Sequence, residues 1–196
     1  MGDVKITERN AQVSLDQQDL DDLALVQLAI GDRGAFAILY QRHVNRVYRY
    51  ALARLGNEQD AQDITAQTFI IAMEKITSYR GEGAFPAWLF GIAYYLVGEH
   101  YRKDKKPMDL ERASDIPAGG ASVDDIVIEN LQLAHVIEAM SLLSKDRVEA
   151  LTLRVFGGLT AREIAKLMDK SEAAVKMLVY RAVRDLRAQM VDENQE

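Results

Sequence analysis

Apolar residues recur at α-helical spacing in two blocks of this 196-residue chain, and residues 107–130 separate the blocks. Within that stretch Pro107, Pro117, Gly119 and Gly120 interrupt any helical pattern. The whole chain has only three prolines and twelve glycines, too few for the many turns of a β-sandwich or barrel. We therefore expect an all-α protein made of two small helical domains joined by a flexible linker.

The net charge of −6 is divided unevenly along the chain. Residues 107–130 carry six acidic residues and one basic residue, whereas residues 131–190 carry ten basic and seven acidic residues. Residues 20–106 have a net charge of +1. The pattern predicts a first domain over 20–106, an acidic linker over 107–130 and a second domain over 131–190. Residues 1–19 are expected to be disordered, and residues 191–196 to form an acidic tail.

The sequence offers little to a catalytic or metal site. It has no cysteine, and its three histidines lie far apart, so thiol chemistry and helical zinc or di-iron motifs are not supported. No P-loop, nucleophile elbow or dinucleotide fingerprint occurs. The uncharged stretch 83–98 is shorter than a membrane span and contains Pro86 and Gly91. We expect a cytoplasmic protein without enzymatic activity, cofactor, metal ion or membrane insertion.

Helix boundaries follow from the periodicity and from capping residues. In the first block, Asp32 is a candidate N-cap, Gly56 and Asn57 form a stop signal, and residues 79–84 form a loop. The predicted helices cover 32–56, 60–76, 85–103, 126–142, 145–156, 160–168 and 171–190.

The last two predicted helices have the spacing of a helix-turn-helix. Thr160 and Glu163 form a capping box, Asp169 and Lys170 form a short turn, and Ser171 caps the second helix. Ordinary helical hairpins also show this pattern.

The helix 171–190 separates its side chains by type. Its apolar arc holds Val175, Leu178, Val179, Val183, Leu186 and Met190. Its opposite side holds Lys176, Arg181, Arg184 and Arg187, interleaved with Met177 and Tyr180. A solvated cationic face is one interpretation. Duplex DNA is the alternative, with the cations on phosphates and residues near the helix start on base edges.

Two helices of the first block raise a similar question. The helix 85–103 has one apolar face at Phe85, Trp88, Leu89, Ile92 and Leu96, and a second at Phe90, Tyr94, Val97 and Tyr101. The second face is either core or a stacking platform for unpaired bases. The helix 60–76 has a stripe predicted to be buried at Ala61, Ile64, Thr68, Phe69 and Ala72. Its outward side, which includes Ile70 and Glu74, indicates a surface for a partner protein.

Short motifs in a fixed order span residues 20–190. They are Ala35-Phe36, Leu39-Tyr40, Val47-Tyr48-Arg49, Leu55-Gly56, Asp60-Ala61-Gln62-Asp63-Ile64, Tyr79-Arg80-Gly81-Glu82, Phe85-Pro86-Ala87-Trp88-Leu89, Leu153-Arg154, Gly158-Leu159-Thr160, Glu163-Ile164-Ala165, Val175-Lys176 and Arg181-Ala182. In this order and spacing the chain resembles the extracytoplasmic-function (ECF) sigma factors, the promoter-recognition subunits of bacterial RNA polymerase.

The resemblance implies three binding surfaces and three partners: core RNA polymerase, promoter DNA and an anti-sigma factor. The implied core-polymerase residues are Asp60, Asp63, Gln67, Ile70 and Glu74. The implied residues for the melted minus-10 element are Arg80, Trp88, Tyr94, Tyr95, Tyr101, Arg102 and Lys103. The implied residues for the duplex minus-35 element are Ser171, Lys176, Met177, Tyr180, Arg181 and Arg184.

The chain departs from the family pattern at Tyr94-Tyr95, where Arg-Asn is usual, at Ala66-Gln67, at Asp169 and at Met177. An aspartate adopts the positive φ of a helix-turn-helix bend more readily than most residues. Two other function classes are considered, a stand-alone helix-turn-helix regulator and a helical adaptor that binds only protein.

Overall fold

The computed structural model describes residues 20–81, 83–104, 140 and 142–193, and this part of the chain is all-α. The predicted linker 107–130, the segment 1–19 and nearly all of the helix predicted over 126–142 lie outside the described residues. Seven α-helices are described: α1 Asp22–Ala29, α2 Arg33–Leu55, α3 Glu58–Lys75, α4 Phe85–Asp104, α5 Lys145–Val155, α6 Ala161–Met168 and α7 Glu172–Glu193. A single 3-10 turn, Ile76–Ser78, follows α3.

Capping side chains set the ends of the first helices. The Asp32 carboxylate accepts a hydrogen bond from the Gly34 amide at 2.8 Å and begins α2, and Gly56 ends α2 with a left-handed φ of 75°. Asn57, which was predicted as part of the stop signal of α2, is also the N-cap of α3. Its side-chain oxygen accepts from the Asp60 amide at 2.8 Å, so α3 begins two residues earlier than predicted.

Helix α1 was not delimited by the sequence pattern. Asp21 caps it by accepting from the Ala24 amide at 2.8 Å, and Leu25 and Val26 are buried against the rest of the core. The helix places the Asp22 carboxylate 2.8 Å from His43 Nε2 on α2.

Helices α1–α4 form the N-terminal group. Their core includes Leu39, Val47 and Leu89, all with 0% exposure. The stripe predicted for α3 is buried at each of its five positions: Ala61, Ile64, Thr68, Phe69 and Ala72.

Helices α5–α7 form the C-terminal group. Val148, Leu151 and Ala182 are buried where α5 packs against α7, and Ile164 and Val175 are buried where α6 packs against α7. Helix α7 continues to Glu193, so residues 191–193 of the predicted tail extend the helix.

The two groups pack against each other, α2 against α5 and α4 against α6. One hydrophobic cluster contains residues of both groups, among them Tyr50, Phe90 and Leu153, each with 0% exposure. We call this packing the closed arrangement. In the closed arrangement both apolar faces of α4 are covered. One face packs on the N-terminal core, and the other lies toward the C-terminal group.

Candidate nucleic-acid interface

The turn between α6 and α7 has the geometry of a helix-turn-helix. Thr160 accepts from the Glu163 amide at 3.3 Å, and the Glu163 carboxylate accepts from the Thr160 amide at 2.7 Å, which completes the predicted capping box. Asp169 ends α6 in the left-handed region with φ 51°. The Ser171 hydroxyl accepts from the Ala174 amide at 3.1 Å, so the first turn of α7 is firmly placed.

The predicted polar side of α7 faces outward. Tyr180 is 64% exposed and Met177 is 47% exposed. The four predicted cations of this helix are also exposed: Lys176, Arg181, Arg184 and Arg187. On the opposite side Val175 is fully buried. The helix therefore presents cations around two exposed side chains able to make apolar contacts.

A shallow groove of about 490 Å³ runs along this face between α6 and α7. Lys176 and Tyr180 line it together with two arginines that were not predicted to bind DNA, Arg154 and Arg162. Arg154 also donates to the Leu159 carbonyl at 2.8 Å. Their positions in the sequence could have indicated them, because Arg162 lies in the first turn of α6 and Arg154 lies at the end of α5.

A second groove of about 330 Å³ lies where the loop before α4 meets α6. Tyr79, Arg80 and Trp88 line one side, and Lys166 lies on the other. The Tyr79 ring packs against Trp88 with centroids 5.6 Å apart. Of the seven predicted minus-10 residues, Arg80 and Trp88 are brought together here.

Further along α4, Tyr95 is 59% exposed and its ring lies 5.8 Å from the Arg102 guanidinium. The Tyr95 hydroxyl donates to Glu99 at 3.2 Å, and the hydrogen bond from Arg102 holds the pKa of the Glu99 carboxyl below its ordinary value. Lys103 is exposed on the next turn. Tyr95, Arg102 and Lys103 thus form an accessible aromatic and cationic patch.

Tyr94 and Tyr101 lie elsewhere, at the contact between the two groups. Both are half-buried, and burial together with the nearby Glu149 carboxylate raises the pKa of Tyr94. The Tyr101 hydroxyl donates to the Arg54 carbonyl, and Lys145 Nζ of α5 lies 5.7 Å from the Tyr101 ring. These two rings are covered in the closed arrangement.

On α3, four of the five predicted core-polymerase residues are exposed in one row: Asp63, Gln67, Ile70 and Glu74. Asp60 is different, because its carboxylate lies 3.3 Å from His100 Nε2 of α4. Met73 adds to this surface at 50% exposure. Met73 was not predicted from the periodicity, although it follows Ile70 at i+3.

Metal sites and membrane-spanning helices were also considered. No cluster of three metal-ligating side chains occurs in the described ranges. Among the helices described, none is both long enough and apolar enough to cross a membrane.

Comparisons with known proteins show the family to which the chain belongs. The model of Sigma-70 region 2 matches residues 39–106, and that of Sigma-70 region 4 matches residues 134–186. The ECF RNA polymerase sigma factor BldN of Streptomyces coelicolor is 34% identical over 182 residues, 89% of this chain and 69% of that protein. The ECF RNA polymerase sigma-E factor of Escherichia coli is 30% identical over 178 residues, 86% of this chain and 93% of that protein.

Solved structures share the fold. CnrH in complex with the cytosolic domain of CnrY has a TM-score of 0.65 at 24% identity, covering 88% of this chain and 97% of that chain. The sigma factor RpoE of Bartonella quintana, in complex with the anti-sigma factor NepR, has a TM-score of 0.60 at 22% identity, covering 79% and 96%.

A helix-turn-helix whose second helix is exposed and cationic, packed against a second helical group, is typical of DNA-binding transcription proteins. Within that class, the chain belongs to the ECF sigma factors, which are promoter-specificity subunits of RNA polymerase. The predicted resemblance and the all-α fold are confirmed. The alternatives of a stand-alone regulator and a protein-only adaptor are set aside, because region 2 and region 4 both match.

Proposed function

We propose that this chain directs polymerase to its promoters by dividing the work among three surfaces. Helix α7 reads the duplex minus-35 element, the loop before α4 and the exposed end of α4 hold the melted minus-10 strand, and the row on α3 binds core polymerase. The observation that carries the proposal is the exposed cationic face of α7 around Met177 and Tyr180, in a chain that also matches region 2.

On α7 the two kinds of side chain have different roles. Lys176, Arg181 and Arg184 meet phosphates, which positions the helix but carries no sequence information. Met177 and Tyr180 lie nearest the bases. A methionine offers no strong hydrogen bond, so its contact is apolar, for instance with a thymine methyl group.

For the minus-10 strand, the accessible groups are Arg80, Trp88, Tyr95, Arg102 and Lys103. An exposed tyrosine beside an arginine is suited to stacking an unpaired base and holding its phosphate. Tyr94 and Tyr101 belong to the same predicted set, and they become available once the groups separate. Asp60 contributes to polymerase binding by holding the start of α3 against α4 rather than by direct contact.

The protein acts by binding, has no catalytic step of its own and works in the cytoplasm beside the polymerase. The sigma factor RpoE, which shares this fold, was solved in complex with the anti-sigma factor NepR, and this supports an anti-sigma partner for this chain as well. Its chemistry would have to match the exposed apolar and acidic row on α3 or the cationic face of α7.

The test is selection of promoters from a randomised DNA library by this chain and core polymerase, followed by transcription from the selected promoter. We expect transcripts that start at a fixed distance from two selected elements and that require both proteins. Duplex binding by the chain alone, without any effect on polymerase, would overturn the proposal.

Two tyrosines provide matched controls. Tyr95→Ala should weaken binding to the single minus-10 strand by about 1–3 kcal/mol while leaving duplex minus-35 binding unchanged. Tyr180→Ala should do the reverse. Equal effects of both variants on both DNAs would contradict the division of work.

A further inference from the structure

A carboxylate of α1 holds a buried histidine next to the start of α4. Asp22 Oδ2 lies 2.8 Å from His43 Nε2, and Asp22 Oδ1 accepts a hydrogen bond from Arg42 at 3.0 Å. His43 is 3% exposed, and its second ring nitrogen, Nδ1, lies 3.4 Å from a guanidinium nitrogen of Arg46. A guanidinium only donates, so this geometry requires a neutral ring that accepts at Nδ1 and donates from Nε2 to Asp22. The contact with Asp22 thus fixes the orientation of the imidazole.

The imidazole packs on the aromatic residue that begins α4. The ring centroids of His43 and Phe85 lie 5.5 Å apart, and Phe85 is 2% exposed. The Phe85 ring in turn lies 5.8 Å from the Tyr79 ring, edge to face, and 5.7 Å from the Trp88 ring. The rings of Tyr79 and Trp88 are 5.6 Å apart. We call Tyr79, Phe85 and Trp88 the loop aromatic cluster, because they flank the loop that carries Arg80.

Helix α1 also contacts this loop directly. A Cβ atom added to Gly81 would lie 3.4 Å from Leu23 Cδ1, so the loop backbone lies against α1. The Tyr79 hydroxyl donates to the Gly83 carbonyl at 2.6 Å, which ties the loop to the aromatic cluster. Burial, together with the negative charge of Asp22, raises the pKa of Tyr79. The loop is therefore linked to α1 both through its backbone and through the cluster.

The same loop carries groups proposed to hold the melted minus-10 strand. Arg80 is exposed, and Trp88 is half-buried, and both line the groove of about 330 Å³. Asp22 and His43 are not among the residues that line this groove. A binding site on a loop is accurate only when the residues that support it are themselves held in place. Asp22 and His43 can supply such support only through the loop aromatic cluster.

The contact contributes orientation more than stability. The His43 side chain is 4% exposed and the Asp22 side chain 23% exposed, so the attraction between them is offset by the desolvation of both groups. Leu25 and Val26 of α1 are 0% and 2% exposed and supply the apolar burial that holds the helix on the core. Helix α1 therefore has separate side chains for its attachment and for orienting the imidazole.

We propose that α1 positions the loop that binds the melted minus-10 strand, and that Asp22 and His43 are its positioning residues. Asp22 orients the imidazole, and the imidazole sets the place of Phe85. Phe85 then sets the places of Tyr79 and Trp88 on the two sides of the loop. This inference rests on the proposed minus-10 function of that loop.

Two substitutions at one position test the contact. Asp22→Ala removes the acceptor for His43 Nε2–H, and we expect it to weaken binding of the single minus-10 strand of the selected promoter about tenfold. Asp22→Asn keeps a side-chain oxygen that can accept the same hydrogen bond, so it should retain most of the affinity. Both variants should bind the minus-35 duplex as the unmodified chain does, because α7 of the other helical group reads it. Unchanged strand binding by Asp22→Ala would overturn the proposal.

Val26→Ala is the matched control on the same helix. Its truncation removes buried apolar contacts and lowers stability without removing a partner of His43. We expect this variant to bind the strand with unchanged affinity at a temperature where the chain stays folded. If Val26→Ala and Asp22→Ala weaken strand binding in proportion to their losses of stability, Asp22 acts only by stabilising the fold and the proposal is wrong.

Trp88 reports the place of the loop aromatic cluster directly, because it is the only tryptophan in the chain. In folded Asp22→Ala its emission should shift to longer wavelength and its quenching by acrylamide should increase, since the ring loses part of its packing. Asp22→Asn and Val26→Ala should keep the spectrum of the unmodified chain. An unchanged Trp88 spectrum in Asp22→Ala would show that the contact does not position the cluster.

Transcription with core polymerase separates positioning of the loop from assembly of the complex. Asp22→Ala should slow the formation of open complexes on the selected promoter about tenfold, while the protein concentration needed for initial promoter binding stays the same. A defect confined to initial binding would contradict the proposal.

The proposed function fails in a different way. If the unmodified chain neither binds the strand nor supports transcription with core polymerase, the minus-10 assignment of the loop is wrong. The Trp88 spectra of the same variants still show whether α1 holds the loop in place.

Discussion

At the scale of single residues, two cations on the exposed side of α7 already have carboxylate partners. Lys176 Nζ lies 2.7 Å from Glu172, and an Arg184 nitrogen lies 2.7 Å from Asp185. The contacts lower the pKa of both carboxyls, Glu172 through Lys176 and Asp185 through Arg184. Such exposed pairs contribute little to stability and are screened by salt, so a DNA phosphate can replace the carboxylate.

We expect Arg184→Ala and Met177→Ser to affect duplex binding in different ways. Loss of the arginine should weaken binding about equally on all sequences and reduce the slope of log affinity against log salt by about one. Loss of the methionine should change base preference at one or two positions of the minus-35 element with the same slope. Binding to a set of single-base variants over a salt series measures both effects.

Uniform weakening by both substitutions would contradict a sequence-reading role for Met177. Lys145→Ala is a control for the loss of one cation, because Lys145 lies on α5 beside Tyr101 and not on the α7 face. Its salt slope on the minus-35 duplex should match that of the unmodified chain.

His43 gives the fold a pH dependence. The side chain is 3% exposed, and burial lowers its pKa from 6.5 even though Asp22 acts in the opposite direction. Arg46 and Arg42 lower it further. The unfolded chain therefore binds a proton before the folded chain does as pH falls. Stability from neutral His43 is fully present above about pH 6.5 and is lost as pH falls through the folded pKa.

We expect the urea midpoint of the unmodified chain to fall between pH 7.5 and pH 5.5 by more than that of His43→Gln. The difference between the two proteins isolates the histidine from other titrating groups. A parallel pH dependence in both proteins would show that burial of His43 does not control it.

At the scale of helices, the capping residues were sufficient to predict those helix ends that depend only on the local sequence. Asp32, Thr160, Ser171 and Asp169 were predicted from sequence, and each has the expected capping or left-handed geometry. Asn57 was misread because a residue that follows a glycine stop also suits the start of the next helix. Side-chain geometry, rather than residue type, distinguishes the two.

The binding row on α3 makes a prediction at this scale. Ile70→Lys combined with Glu74→Lys should abolish co-elution with core polymerase while far-ultraviolet circular dichroism stays unchanged, because both side chains point away from the core. The substitutions remove an exposed apolar contact and reverse a charge at the centre of the proposed surface.

Glu58→Lys is the control on the same helix, since helical geometry places Glu58 about a third of a turn away from Ile70. This variant should co-elute normally. If the double variant still binds polymerase, the polymerase-binding surface lies elsewhere on the chain.

At the scale of the whole molecule, the closed arrangement could not be predicted from the sequence. Periodicity identified the second apolar face of α4 but not what covers it, because Tyr50 and Glu149 are separated by 99 positions. A long-range contact of this kind leaves no local pattern. Of the residues predicted for the minus-10 strand, Tyr95 and Arg102 are exposed. Tyr94 and Tyr101, whose face the sequence left open between core and stacking platform, are half-buried beside α5.

A core shared by both groups should make them unfold together. We expect the fluorescence of Trp88, the only tryptophan in the chain, to change in urea at the same midpoint as helical circular dichroism. In Glu149→Arg the two probes should separate, because Trp88 reports only on the N-terminal group. Separate midpoints in the unmodified chain would indicate two independently stable groups.

The exposed row on α3 has a consequence for the order of encounters. In the closed arrangement Ile70 and Met73 on α3 and Tyr180 on α7 are exposed at the same time. A free molecule therefore offers its proposed polymerase row and its proposed minus-35 face without separating its two helical groups. Either partner can be met first, and the second then joins a surface that is already open.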